Sequence, residues 1–360
     1  MTAGNPAVQT PLPDVARQLD AHADAIASAA TEKQFDSDPT LLRRYGEKGK
    51  AKCTEDARRH LSYLSSSVSH GSPGLFTDYI KWAKILVTRL GLSAEDIARN
   101  LEYLRESVQE SLPADAALVV ARTIDAGLAE LPSMPDSRES FLALETAPHA
   151  VLAREYLRLL LAGDRHAAST LILEAVSNGV DVRDIYIDVF QKSQYEIGRM
   201  WQMNEVSVAQ EHFCTAATQL IMSQLYSRIF STARVGRRLV AACVGSDLHE
   251  IGVRMVADFF EMEGWDTYYL GANTPVAGLL QSLEEHRPDV LAISATMSYH
   301  VPKVAEAIDA VRGSSVNCRV MVGGYPFAVD NDLWRSVGAD GCATDAPGAV
   351  SLADRLLAAR

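Results

Sequence analysis

The feature that most constrains the fold is a change of hydrophobic period after Arg237. Upstream, apolar residues recur at helical spacing, as in Ile80, Ala83, Ile85, Leu86 and Leu90, and again in Ile97, Leu101, Leu104 and Val108. Downstream, five short β-rich runs appear: RLVAACV (238–244), YYLG (268–271), VLAISA (290–295), RVMVGG (319–324) and GCAT (341–344). A helical pattern follows each run. The runs lack apolar–polar alternation, as strands buried on both faces should. Short apolar strands separated by helices predict a parallel sheet covered on both sides.

Breaks in the upstream pattern divide the rest. Ser-Pro-Gly near residue 73, the stretch from Gly91 to Glu95, and Leu112-Pro113 read as helix stops or caps. The polar stretch LPSMPDSRES (131–140), with two prolines, reads as a linker. From Phe141 to about Phe230 a second helical set is broken at Gly163-Asp164, Asn178-Gly179 and Asn204-Glu205, which leaves room for four helices. The expected organisation is multidomain: an all-α domain over 1–131, a four-helix bundle over 141–235, and a flavodoxin-like α/β domain over 237–360.

Charge and cysteine usage exclude several classes. The net charge is −12 and the Lys/Arg runs are short, so direct DNA binding through a basic face is not expected. The five cysteines are odd in number and none has CxxC spacing, which fits reduced thiols in a cytoplasmic protein. The N-terminus lacks the basic start and apolar stretch of a signal peptide, and no apolar run is long enough to span a membrane.

The strongest motif ends the first strand: Asp247-x-His249-x-x-Gly252, preceded by Gly245-Ser246. Ligands of open α/β sheets bind beyond the carboxyl ends of strands. A histidine there can offer one ring nitrogen to a metal while Asp247 orients the other. Gly252 leaves room beside the following helix. Read alone, the pattern is also compatible with a capped helix start bearing an exposed histidine. His286 and His300 have no partner pattern and read as surface or loop residues.

This run resembles the cobalamin-binding domain shared by methionine synthase, the B12 mutases, corrinoid methyltransferase proteins and B12 photoreceptors. The resemblance covers 237–360 and extends to Ser294-Ala295-Thr296 and Gly323-Gly324 at the next strand ends. It implies base-off, His-on cobalamin with His249 as the lower cobalt ligand, and a slot for the displaced tail lined by Ser294, Thr296, Gly323 and Gly324.

The bundle carries Trp201, then nine residues, then Glu211-His212. An indole can cover one corrin face and a carboxylate can hold ribose hydroxyls, which suits an adenosyl group. The plainer reading is a core tryptophan with a surface Glu-His pair. The spacing resembles that of light-sensing cobalamin-dependent repressors, and the run from Leu160 to Trp201 looks like the cap these share with corrinoid methyltransferase proteins. Two departures stand out. Residues 1–131 do not resemble the repressors' helix-turn-helix, and Gln202 stands where some members place a second cobalt-capturing histidine.

In the N-terminal domain, Cys53, Asp56 and His60 fall at i, i+3 and i+7, with Arg59 and Tyr63 beside them. A bilin needs such an array: a carboxylate for pyrrole N–H groups, an arginine for propionates, aromatics for the rings and sometimes a thiol. A solvated helix face, or a haem pocket using His60 or His70, fits the same residues. The run resembles the chromophore helix of phycobiliproteins, which are globin-like helical folds. Joined to a light-type cobalamin module, it resembles the photocobilins. That implies biliverdin as a second chromophore, a photoreceptor and not a turnover enzyme, a homo-oligomer, and a downstream protein partner. The competing expectation is a corrinoid carrier of a methyltransferase system. A mutase is disfavoured because no substrate barrel is present.

Overall fold

The computed structural model describes residues 10–144, 146–230 and 232–359. The first nine residues, where the signal-peptide reading falls, lie outside these. The chain separates into two compact units. The first comprises residues up to Pro135 together with Met297–Pro302 and Val329–Val337, and the second comprises Asp136–Thr296, Lys303–Ala328 and Gly338–Arg360.

The first unit is built on α1 (Leu12–Ser37), α2 (Pro39–Ser69), α3 (Pro73–Arg89), α4 (Ala94–Ser111) and α5 (Ala114–Glu130). Its stops follow the sequence signals. Gly71 turns the chain in the left-handed region before Pro73, and Ser93 with Asp96 forms a capping box at α4. Leu19, Ile26, Leu61, Leu64, Phe76, Ile80, Leu101 and Ile124 are buried in one core. The expected linker is partly structured. Leu131 and Met134 are buried against that core, and buried Lys84 donates to the Met134 carbonyl at 2.5 Å. An apolar residue every third place let this segment join the core despite its prolines.

The second unit begins with α6 (Ala150–Leu161) and α7 (Arg165–Ser177). A long third helix follows, in which α8 (Val182–Asp184), a π-helical stretch (Ile185–Gln191) and α9 (Lys192–Gln202) run on without a break. Next come α10 (Val208–Gln224) and the short α11 (Tyr226–Ile229). The breaks sit at Gly163, Gly179 and Asn204, each with positive φ. The bundle is thus the four helices that the sequence spacing allows.

The chain continues through β1 (Arg238–Val244), α12 (Ile251–Met262), β2 (Asp266–Thr274), α13 (Val276–His286) and β3 (Val290–Ser294). It ends with α14 (Val301–Arg312), β4 (Arg319–Gly323), α15 (Tyr325–Val329), α16 (Leu333–Ser336), β5 (Gly341–Ala343) and α17 (Ala346–Ala358). All strand pairs are parallel and the order is β2-β1-β3-β4-β5, the flavodoxin-like arrangement. The inner strands β1, β3 and β4 are buried on both faces, six of the seven β1 residues being inaccessible, while the edge strands β2 and β5 are mostly half-buried. His300 departs from the expectation of a surface residue: it is 4% exposed, in a turn with its ring edge-on to Tyr299.

Bundle and sheet share a core within this unit. Met255, Phe259 and Met262 of α12 pack with Tyr186, Phe190 and Ile221 of the bundle. A polar pair sits in the same seam: the Tyr186 hydroxyl donates to Asp258 Oδ2 at 2.8 Å, and Asp258 is 5% exposed. Burial raises the Asp258 carboxyl from 3.8 to about 6, against the opposing effects of Tyr186 and Arg254. The folded chain therefore keeps a proton that the unfolded chain has lost between these pH values, and stability falls as pH rises through them. The cost above that window is roughly 3 kcal/mol. Asp258→Asn, which keeps an acceptor for Tyr186, should be increasingly stabilising relative to wild type from pH 4 to pH 7 in urea melts. A stability difference that stays flat across that range would contradict the assignment.

Candidate functional site

The order of the sheet makes the site. Connections from β1 lead to β2 on one side, whereas β3, β4 and β5 lie on the other, so the loops after β1 and β3 diverge at the crevice where such folds bind ligands. The strand ends are in register, Cys243 with Ser294, Ser294 with Gly323, and Gly323 with Ala343. The DxHxxG loop, the Ser-Ala-Thr run and the glycine pair therefore meet along one edge, as the sequence reading requires.

The loop after β1 is held in a left-handed bend, with φ 59° at Gly245 and 66° at Ser246. A side chain at Gly245 would overlap that of Lys303. The non-glycine strain at Ser246 is offset by its N–H, which donates to Asn273 Oδ1 at 2.8 Å, while the Asn273 N–H donates to the Asp247 carbonyl at 2.9 Å. Asp247 is fully buried. Its Oδ1 accepts from the His249 backbone N–H at 3.0 Å and pairs with His249 Nδ1 at 2.8 Å, and its Oδ2 accepts from the Thr296 N–H at 2.7 Å. With Nδ1 engaged as donor, the neutral ring presents Nε2 as its free lone pair. The His249 side chain is 57% exposed.

Around this histidine the strand-end row stays small. A Cβ at Gly324 would overlap the Ala295 carbonyl, and one at Gly323 would lie 2.8 Å from the Ala343 oxygen. Gly324 also has φ +101°, a conformation that side chains resist. Ser294 and Thr296 are half-buried, and a Cβ at Gly252 would meet nothing within 4 Å. An exposed nitrogen of fixed tautomer, beside a row without bulky side chains, fits a corrinoid. Among the described residues no group of three or more His, Cys, Asp and Glu side chains is placed to hold a metal ion.

In the bundle, Trp201 ends α9 half-buried, and the adjacent Gln202 is 2% exposed. The intervening turn is fixed by Arg199, which pairs with Glu196 at 2.9 Å and Glu205 at 2.8 Å, and by the Ser207–Gln210 capping box. Glu211 accepts from Thr215 at 3.1 Å and pairs with His212 Nδ1 at 2.5 Å. The His249 pKa is raised, foremost by the hydrogen bond to Asp247, against desolvation, with the charges of Asp247 and Glu211 adding to the rise.

The N-terminal candidates do not converge on one open face. Cys53 turns inward, with its thiol 3.5 Å from Gln34 Oε1 and 3.7 Å from Asn100 Nδ2, and burial raises its pKa. Asp56 pairs with Lys52 at 3.2 Å, and exposed Arg59 pairs with Glu55 at 3.5 Å, both within α2. His60 Nδ1 lies 2.8 Å from the Tyr79 hydroxyl, and buried Tyr63 stacks on Tyr79 at 3.6 Å. Tyr299, from a later segment of the same unit, edges onto Tyr63 at 5.0 Å. Burial, with some help from Arg59, depresses the His60 pKa to about 4, so the ring is neutral at pH 7. The stripe is real as helical spacing, but its upper and lower halves meet different neighbours.

Sequence reasoning missed Asn273 and Glu250. Asn273 sits before Thr274-Pro275 at a strand end, with positive φ, so an asparagine before a proline turn was the available signal. Glu250 Oε2 accepts from Tyr269 at 2.7 Å and from the Ala272 N–H at 3.1 Å, while Oε1 accepts from Gln219 at 3.0 Å. Nothing local marked it.

Comparison with known proteins agrees with this geometry. Residues 237–352 match a family described as B12 binding domain, and residues 152–226 match a second family of the same description. The chain binds a corrinoid. Residues 9–131 match the phycobilisome protein family. A corrinoid protein of Desulfitobacterium hafniense (strain Y51) is 24% identical over 213 residues, covering 57% of this chain and 97% of that protein. The HTH-type transcriptional repressor CarA of Myxococcus xanthus is 31% identical over 119 residues, 33% of this chain and 41% of the repressor. The structure of the Methanosarcina barkeri monomethylamine corrinoid protein superposes with a TM-score of 0.52 at 20% identity. It covers 58% of this chain and all of that one, a likeness of fold alone. No helix among the described residues is long and apolar enough to cross a membrane.

The site yields a direct test without ligand. The His249 ring should titrate above the ordinary 6.5 in the corrinoid-free protein. Asp247→Asn should lower that midpoint by removing the carboxylate charge. Proton NMR of the imidazole measures both, and a midpoint at or below 6.5 in the wild type would refute the reading.

Proposed function

We propose that this protein is a cobalamin-dependent light sensor that uses adenosylcobalamin, carries a bilin in its N-terminal helical unit, and signals through its associations. Adenosylcobalamin, when bound, supplies a cobalt–carbon bond that visible light cleaves. The reading rests on the pairing of the Asp247–His249 loop with Trp201, Glu211 and His212 in the bundle of the same unit, where Glu211 accepts from Thr215 at 3.1 Å and its charge adds to the raised His249 pKa. His249, steered by Asp247, is the lower nitrogen donor. Trp201, Glu211 and His212 form the other face, where the indole excludes water and the carboxylate and imidazole hold hydroxyl groups. Ser294, Thr296, Gly323, Gly324 and the open space at Gly252 accommodate the detached nucleotide tail.

The bilin reading is supported by the phycobilisome match over 9–131 and by the stack of Tyr63 on Tyr79 beside His60. Asp56 is half-buried and Arg59 exposed, and each pairs within its own helix, so both can turn to a ligand at little cost. Cys53 is buried and hydrogen-bonded and its thiol pKa is raised, so the thiolate needed for addition is scarce. The biliverdin is therefore held without a covalent bond. The functional product is a change of self-association read by a partner protein, with no turnover of a substrate.

One observation favours a second reading. The likeness to the Desulfitobacterium corrinoid protein runs over nearly all of that protein's length, which suits a carrier in methyl transfer. The two readings separate in one experiment. The full chain is incubated with adenosylcobalamin and biliverdin, and absorbance and light scattering are recorded in darkness and after green and red light. The sensor reading expects an irreversible cobalamin spectral change, a bound-bilin band distinct from free pigment, and a change in mass. Bleaching of the cobalamin with no change in mass would favour the carrier; a free-pigment spectrum alone would remove the bilin.

His249→Ala tests what both readings share. Removing the cobalt donor itself should weaken cobalamin retention by more than about tenfold, the lower end of what losing even an outer-shell partner of a metal ligand costs. It should also abolish the histidine nitrogen splitting in the paramagnetic resonance spectrum of the protein photolysed without oxygen. With nitrogen-15-labelled histidine, retention of the labelled splitting would show that another histidine is the donor, whereas unlabelled splitting alone comes from the cofactor's own base.

A further inference from the structure

The helix that follows His249 does more than continue the fold. Glu250, Arg254 and Asp258 recur every fourth residue and form one row of alternating charge along α12, and each reaches the bundle. Glu250 accepts from Gln219 of α10 at 3.0 Å. Arg254, 8% exposed, donates from Nη1 to the Gln219 carbonyl at 3.2 Å, and from Nη2 to the Ser223 hydroxyl at 2.7 Å and the Tyr226 hydroxyl at 3.2 Å. Asp258 accepts from Tyr186 of the π-helical stretch at 2.8 Å. Apolar contacts through Met255, Phe259 and Met262 fill the rest of the seam.

These two kinds of contact do different things. Apolar packing holds helices together but tolerates small slides and rotations. Directional bonds from a guanidinium to three acceptors do not. Buried charge is also an inefficient way to stabilise a seam that hydrophobic side chains already fill, so its use points to register. The arrangement along α10 shows what is being registered. Gln219, Ser223 and Tyr226 are gripped by α12 or lie just beyond α10, whereas Glu211 and His212 stand about 12 Å up the helix from Gln219. One end of α10 is clamped to the helix that leaves the His249 loop, and the other end bears Glu211 and His212, the residues assigned above to the upper face. A π-helical stretch, a frequent companion of functional sites, supplies the third anchor.

We propose that the Glu250–Arg254–Asp258 row is a positioning device, with Arg254 as its centre, that fixes the height of the bundle over the corrin site and thereby selects the upper ligand the protein accepts. The row touches neither cobalt nor corrin; it acts through α10. The proposal rests on the assignment of His249 and Glu211 to opposite faces of the ring. The adenosyl reading enters only through the choice of probes.

The test uses the full chain, in darkness, titrated separately with adenosyl-, methyl- and hydroxocobalamin. Arg254→Met keeps the length of the side chain and removes its donors. A double variant, Ser223→Ala with Tyr226→Phe, removes side-chain acceptors of Arg254 without disturbing α12, and serves if the methionine variant folds poorly. Both should still bind base-off cobalamin by absorbance, and the ratio of adenosyl to methyl dissociation constants should change at least fivefold. Phe259→Leu, in the apolar part of the same seam, should lower thermal stability and leave the ratio within twofold of wild type. If the three constants move together in the Arg254 and double variants, or if Phe259→Leu shifts the ratio equally, the positioning role is overturned. Equal affinity of the wild type for all three would count against the adenosyl reading alone. The role would still be decided by whether the variants drive the constants apart.

Discussion

Everything at this site depends on one buried carboxylate. Asp247 is sealed from solvent, and an isolated ion there would cost several kcal/mol. Two backbone N–H groups and the His249 ring offset that cost, each charged hydrogen bond contributing about 1.5–3 kcal/mol. The same three bonds set the geometry. They close the loop after β1, join it to the Thr296 peptide at the end of β3, and leave a single ring nitrogen facing out. A carboxylate that must be fully satisfied to be buried at all is what makes the histidine's orientation single-valued.

The second constraint is the close approach of backbones on the other side of the crevice. Gly324 packs so near the Ala295 carbonyl that no side chain fits, and Ser294 is the partner of Gly323 across the sheet. The polar loop and the bare glycine edge are thus two walls of one crevice, produced by the reversal of strand order between β1 and β3. The bundle packs against α12, the helix that leaves the Asp247–His249 loop. A ligand bound between the Asp247–His249 loop and Glu211 would be sensed by both halves of the unit.

The helical unit makes the opposite case. Its helix α2 carries the spaced residues Cys53, Asp56, His60 and Tyr63, and the spacing correctly placed them on one helix. It did not say what each would meet. Cys53 lies against Gln34 and Asn100, while His60 and Tyr63 lie against Tyr79, because a helix of 31 residues passes several neighbours along its length. A shared face is a property of one helix; a shared pocket is a property of its packing.

The sequence by itself determined the period of each segment, and so the helices, the five strands and their parallel α/β alternation, although the edge strands β2 and β5 are only half-buried. It also determined the loop in which Asp247 and His249, two residues apart, had to find each other. Local spacing carries such information because the interactions involved are closed within a turn. Tertiary structure alone decided the contacts of Asp258 with Tyr186, Glu250 with Gln219 and Ser246 with Asn273, which join residues 72, 31 and 27 positions apart. It also decided that Leu131 and Met134 leave the linker for the core, and that His300 is buried. A polar or apolar side chain reads the same in sequence whether it meets water or a partner. Which of these it meets is set by elements brought alongside through packing, and no periodicity records that.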